Sequence, residues 1–117
     1  MNIEDIHEYC VLKRGVTVSF PFDNNTLVFK VMDKMFVLLN LEGSLRMNLK
    51  CEPGKGVELR EQYNAVQPGY HMNKEHWNTV FVDGTISDKI IYKWLDDSYD
   101  LVLKKLSRTK SEELKSI

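Results

Sequence analysis

Three runs of strand-forming residues lie nearly end to end in the first half of this chain: Leu27 to Met32, Lys34 to Leu41 and Arg46 to Cys51. Only Asp33 separates the first two, and the four residues Glu42 to Leu45, with a turn at Glu42-Gly43-Ser44, separate the second from the third. Links that short join antiparallel neighbours, because a parallel pair needs a crossover of a dozen or more residues. The segment therefore predicts a three-stranded antiparallel meander. Whatever else the chain builds must pack against that sheet.

Side chains alternate across a strand. In the first run Leu27, Phe29 and Val31 oppose Val28, Lys30 and Met32. In the third, Met47, Leu49 and Cys51 oppose Arg46, Asn48 and Lys50. One face is apolar and calls for helices to cover it. The other carries Lys30, Arg46, Asn48 and Lys50 and is expected to face solvent. A fourth strand, His76 to Asp83, presents Trp77, Thr79 and Phe81 on one side and Asn78, Val80 and Val82 on the other. Its parity does not say which set joins the open face.

The flanking segments supply the helices. Asn2 with Asp5 three residues on forms a capping box. Ile3, Ile6, Tyr9 and Cys10 then share one side, and Gly15 ends the helix. Ser19 to Asn25 reads as an extended segment running into a turn. Pro53 suits the first turn of a second helix, reaching toward Tyr63, although Gly54 and Gly56 weaken it. Pro68-Gly69 favours a type II turn. Thr85, with Asp88 at the box position, is expected to cap a long helix whose inner stripe is Ile90, Ile91, Trp94, Leu95, Ser98, Leu101 and Val102. The predicted order is α-β-β-β-α-β-α, an α+β fold with the helices on one face of an antiparallel sheet. Residues 1–106 form the expected single domain. Residues 107–117 read as a polar tail that frays.

At 117 residues and 43% apolar content, one core is feasible without metals or disulfides. The charge balance of 16 basic and 17 acidic residues excludes a polycation. A nucleic-acid role would need charge segregated on one face. There is a weak segregation of that kind. Lys30, Lys34, Arg46 and Lys50 outnumber Asp33 and Glu42 in the meander, while Asp88, Asp96, Asp97 and Asp100 outnumber Lys89 and Lys93 in the last helix. Cys10 and Cys51 have no paired spacing and read as reduced thiols of a cytoplasmic protein. The acidic start at Met1 to Asp5 does not resemble a signal peptide. The apolar run from Met35 to Leu41 is far shorter than the roughly 20 residues of a membrane helix.

The stretch from Pro68 to Thr79 is the most specialised in the chain, with Tyr70, His71, Asn73, Lys74, His76, Trp77 and Asn78 close together. It does not define a reaction. His71 and His76 lack further ligands at metal spacing. Ser44 and His76 carry no mark of an activated nucleophile. No glycine loop of the phosphate-cradling kind occurs. Asp96 and Asp97 diverge by about 100° on a helix and do not form an acid/base pair. Trp77 reads either as core or as an aromatic at the rim of a binding surface. No catalytic residue, metal or cofactor is expected.

Several motifs together resemble one family. They are Phe20-Pro21-Phe22-Asp23, Leu27-Val28-Phe29-Lys30-Val31, Lys34-Met35-Phe36, Asn48-Leu49-Lys50-Cys51, Leu59-Arg60, Pro68 to Lys74, His76-Trp77-Asn78-Thr79 and Asp97-Ser98-Tyr99. From about Met1 to Leu106 the chain resembles the YjbR/MmcQ family of small bacterial proteins. The resemblance implies a CyaY-like, frataxin-like fold and a predicted DNA-binding role with a double-wing arrangement. It places candidate contacts at Lys30, Asn48, Lys50, Arg60, His71, Asn73, Lys74 and Trp77; the open-face pattern adds Arg46. It does not carry over iron binding, since the first helix offers only Glu4, Asp5 and Glu8. The expectation is a monomer or weak homodimer that meets DNA through salt-sensitive phosphate contacts and no membrane. The alternative is a non-catalytic protein- or small-molecule-binding domain that uses the same surface as a pocket.

Overall fold

The structure is a computed structural model that describes residues 1–117. The elements are α1 (Ile3–Val11), β1 (Val16–Ser19), β2 (Thr26–Val31), β3 (Lys34–Asn40), β4 (Arg46–Lys50), α2 (Pro53–Gln62), β5 (Val66–Pro68), β6 (Trp77–Phe81), α3 (Asp88–Lys104) and α4 (Arg108–Lys115). Six strands form one sheet in the order β1-β2-β3-β4-β6-β5, every neighbouring pair antiparallel. The α+β class and the one-sided helical layer are as expected.

Local chemistry accounts for the boundaries. Asn2 accepts a hydrogen bond from the Asp5 N–H (2.9 Å), and Asp5 accepts one from the Asn2 N–H (3.0 Å), closing the capping box of α1. Met32 and Asp33 both take positive φ, which lets a two-residue turn match the twist of β2 and β3. β2 and β3 slip register after Phe29, so Phe36 is an extra residue and both Phe36 and Val37 reach the core. The bulge's freed Phe36 carbonyl accepts from the Ser98 hydroxyl of α3 at 2.6 Å, and the same hydroxyl accepts from the Lys50 N–H at 2.9 Å. One buried serine therefore ties α3 to β3 and β4.

Four expectations need correction. Two strands are added. β1 occupies Val16–Ser19 and turns the meander into four strands, and β5 forms a three-residue edge. Both are too short for periodicity to reveal, and Pro68 is tolerated only because β5 is an edge. Gly69 is not a positive-φ turn residue. Its role is close approach, since a Cβ there would lie 2.8 Å from the Trp77 carbonyl oxygen, while His71 takes φ +59°. Thr85 does not cap α3, because its N–H and hydroxyl are bonded to Asp83. Ser87 is the cap instead. The tail does not fray as expected: Arg108–Lys115 is helical, capped by Ser107, with Leu114 buried over Gly15.

The main core lies between the sheet and the helices. Ile6 and Cys10 of α1, and Ile91, Trp94, Leu95, Tyr99 and Val102 of α3, meet Phe29, Val31, Phe36, Val37, Leu39, Met47, Leu49 and Val80 of the sheet. Each large side chain fully buried there contributes roughly 1.5–3 kcal/mol.

Candidate binding face

Pairing resolves the parity of the last long strand. Trp77 opposes Lys50, Thr79 opposes Asn48, and Phe81 opposes Arg46. Directly paired residues share a face, so Trp77 and Thr79 join Lys30, Arg46, Asn48 and Lys50 opposite the helices. Asn78 and Val80 face the helical side.

This face is not bare. Val28, Leu38 and Trp77 form a small second core on it, flanked by Met35 and Met72. Trp77 is 7% exposed, so it is a packing residue and not an aromatic at a rim. The Lys50 amine sits 5.7 Å above the indole. Burial, together with nearby Lys105 and Lys34, lowers the Lys50 pKa below the ordinary lysine value.

The loop from Gly69 to His76 folds back over this face and is held by side chains expected to contact a ligand. Asn48 donates to the Tyr70 carbonyl (3.1 Å), and the Tyr70 N–H donates to Thr79 Oγ1 (2.9 Å). Thr79 in turn donates to Asn48 Oδ1 at 2.5 Å. The Lys74 amine donates to the Gly69 carbonyl at 2.8 Å. Asn73 Oδ1 accepts from the N–H groups of Glu75 and His76. These bonds make Asn48, Asn73 and Lys74 builders of the loop. Tyr70 and His71 are left exposed on it, their rings 4.0 Å apart, with the Arg46 guanidinium 5.8 Å from the Tyr70 ring.

The structure thus brings Lys30, Arg46, Asn48, Lys50, His71 and Trp77 to one face, with Asn73 and Lys74 in the loop above it. Arg60 is elsewhere. It reaches from α2 to the Asn78 side-chain oxygen at 2.7 Å, on the helical side of β6. None of Lys30, Lys34, Arg46, Lys50 and Lys105 takes part in an ion pair, whereas the helical side pairs Lys13 with Asp96 and Lys93 with Asp97. Two features escaped the sequence reading. Lys105 converges on Lys50 and Lys34 only through the packing of α3. Phe22 becomes exposed beside the face because its turn lifts it away from any core; an aromatic within Pro21-Phe22-Asp23-Asn24-Asn25 was the available signal.

Arg46, Asn48, Leu38 and Asn40 form the floor of a groove of about 510 Å³. Phe22, Asp23 and Asn25 from the β1–β2 loop line it, as do Tyr70, His71 and Met72 from the β5–β6 loop. Strand order puts these two loops on opposite sides of the β3–β4 floor. No three His, Cys, Asp or Glu side chains converge in the chain at metal-binding spacing. Cys10 and Cys51 are free thiols, as expected. No helix is long and apolar enough to cross a membrane.

An antiparallel sheet with helices on one side, and with half-buried polar side chains around a small apolar cluster on the other, defines a small α+β domain. The chain belongs to the YjbR family, whose model matches residues 12–101. It is 34% identical over 115 residues to the uncharacterized protein YjbR of Escherichia coli (strain K12), spanning 97% of this chain and 98% of that protein. It is 36% identical over 94 residues to the uncharacterized protein YbdF of Escherichia coli O157:H7, covering 80% of this chain and 77% of that one. A crystal structure of a Deinococcus radiodurans protein with a DUF419 domain superposes with a TM-score of 0.92 at 37% identity, covering 97% of this chain and 88% of the other.

Proposed function

We propose that this protein is a non-catalytic DNA-binding module whose open sheet face neutralises phosphates. The observation that carries this reading is the set of cations without carboxylate partners on that face. Lys30 and Lys50 lie at one end of β2 and β4, and Arg46 lies at the other end of β4. A cation held without a partner keeps its attraction for an external anion, and long-range attraction of this kind supplies most sequence-independent DNA affinity. The slightly negative net charge does not oppose this, because Asp88, Asp96, Asp97 and Asp100 sit on α3, across the sheet. Phosphate contacts from main-sheet side chains position a protein without reading bases.

The test is fluorescence anisotropy with a short random DNA duplex at about 50 and 200 mM salt. Three phosphate contacts, at a slope of about −0.9 each, weaken binding roughly forty-fold across that interval. Combined Lys30→Glu and Lys50→Glu substitutions should remove binding while leaving the melting temperature near that of the wild type. Unchanged affinity in that double variant, or no binding at the lower salt, would sink the reading.

A further inference from the structure

We infer that the groove beside Arg46 is a stacking site for an unpaired nucleobase, so that the preferred ligand is a single-stranded nucleic acid whose phosphates follow the basic face. This deepens the DNA-binding reading and rests on it. Three of the large hydrophobic side chains most exposed to solvent, Phe20, Phe22 and Tyr70, belong to the two loops that border this one face. Phe22 is 64% exposed and Tyr70 58%. Phe20 and Phe22 carry apolar surface with no ring or cation against it, whereas the Tyr70 ring meets His71 and Arg46.

The Tyr70 side is prepared for a flat ligand. Its backbone is held at both ends by Asn48 and Thr79, so the ring is presented on a fixed loop. Arg46 approaches the ring at 5.8 Å, which places a cation beside an aromatic surface, the combination that single-strand-binding surfaces use for base and phosphate. The positive φ of His71 turns the chain so that its imidazole lies against Tyr70. At about 510 Å³ the groove is within the size range of small-ligand sites. In its floor the Asn40 amide is bonded to the Glu42 and Ser44 carbonyls and the Asn48 amide to Tyr70 and Thr79, so these two side chains shape the groove.

Charge gives the strand a direction. Arg46 lies at the groove, and Lys30, Lys34 and Lys50 lie at the far end of the same strands, with Lys105 at the end of α3 near Lys50. Between Arg46 and Lys50 the separation is roughly 13 Å at about 3.3 Å per residue. Two carboxylates border the groove. Asp23 is committed to the N–H groups of Asn25 and Thr26, and Glu42 stands beside Asn40 without an ion-pair partner. A phosphate chain is thus drawn toward the lysines and away from Glu42.

The experiment compares two fluorescent oligomers of equal length and charge, twelve thymidylates and twelve abasic deoxyribose phosphates, on the full chain. The thymidylate oligomer should bind about tenfold tighter or more. Phe22→Ala and Tyr70→Ala should each bring it toward the abasic value while leaving abasic affinity and the melting temperature unchanged. Glu42→Gln should tighten both oligomers. Equal affinity of the two oligomers for the wild type, or loss of both in the aromatic variants, overturns the stacking site and leaves the basic-face reading standing. If neither oligomer binds while the duplex does, the stacking site falls alone; if the duplex fails as well, both readings fall.

Discussion

Arg60 Nη1 donates to Asn78 Oδ1 at 2.7 Å, and the Asn78 amide in turn donates to the Gly56 carbonyl at 3.2 Å. Asn78 is 2% exposed, so this short chain of bonds is what permits a carboxamide to lie between α2 and the sheet. It also removes Arg60 from the surface where its charge would meet a phosphate. Arg60→Ala should therefore lower stability by about 1–3 kcal/mol, the cost of a buried acceptor left unpaired. Affinity for DNA should change little. Urea denaturation beside an anisotropy titration checks both, and a large loss of affinity in a fully folded variant would place Arg60 back at the interface.

Ser98 has two partners that nothing else can satisfy. Its hydroxyl donates to the carbonyl freed by the β3 bulge and accepts the N–H at the end of β4. Ser98→Ala slightly raises the helix propensity and changes the volume little, so a loss of stability would come from the missing bonds. It leaves two buried backbone groups without partners, each worth about 1–3 kcal/mol. Equilibrium unfolding should show a midpoint shift at unchanged m-value. A neutral result would mean that the bulge relaxes to make its own bond.

Gly15 and Leu114 tie the C-terminal helix to the first hairpin. At φ +72°, a Cβ on residue 15 would lie 2.5 Å from Leu114 Cδ1. Leu114→Ala should cost about 2–5 kcal/mol, the usual range for a buried leucine. Gly15→Ala should also destabilise, through both backbone strain and displacement of that leucine. Backbone hydrogen exchange on residues 108–115 should rise in either variant. If α4 exchanges freely in the wild type as well, its packing contributes little.

Alkaline pH should loosen the α1–α3 contact. The Tyr9 hydroxyl donates to both oxygens of Asp96, and burial, with that bond, pushes its pKa up to about 12. Burial likewise pushes the Cys10 thiol up to about 12. Both folded-state values exceed the ordinary 10.0 and 9.0. The folded state therefore holds these protons longer, and stability is fully present below the ordinary values. It declines as pH rises from about 9 toward 12. Melting temperatures followed by circular dichroism should fall across that window, and less steeply in Cys10→Ala. A flat profile between pH 8 and 11 would contradict the assignment.

Element type was legible along the chain because its signals are local. The Asn2–Asp5 box, the alternation in Leu27 to Val31 and Arg46 to Lys50, and the stripe through Ile91, Leu95, Ser98 and Val102 each depend on neighbours within a turn or two. These signals also placed Lys30, Arg46, Asn48 and Lys50 on a common face, because period-two alternation is a property of the strand itself. Only tertiary structure decided what that face became. The side on which Trp77 falls depends on its pairing with Lys50, 27 positions earlier in the chain. Its burial depends on Val28 and Leu38 from two further strands. The bonds from Arg60 to Asn78 and from Lys74 to the Gly69 carbonyl likewise join residues that no local pattern connects. β1 and β5 exist because longer partners supply the hydrogen bonds that strands of four and three residues could not stabilise alone. The composition of the two loops hinted at Phe22 and Tyr70 separately, but the groove between them was not legible, because its shape comes from two segments that border it only when β3 and β4 are already in place between them.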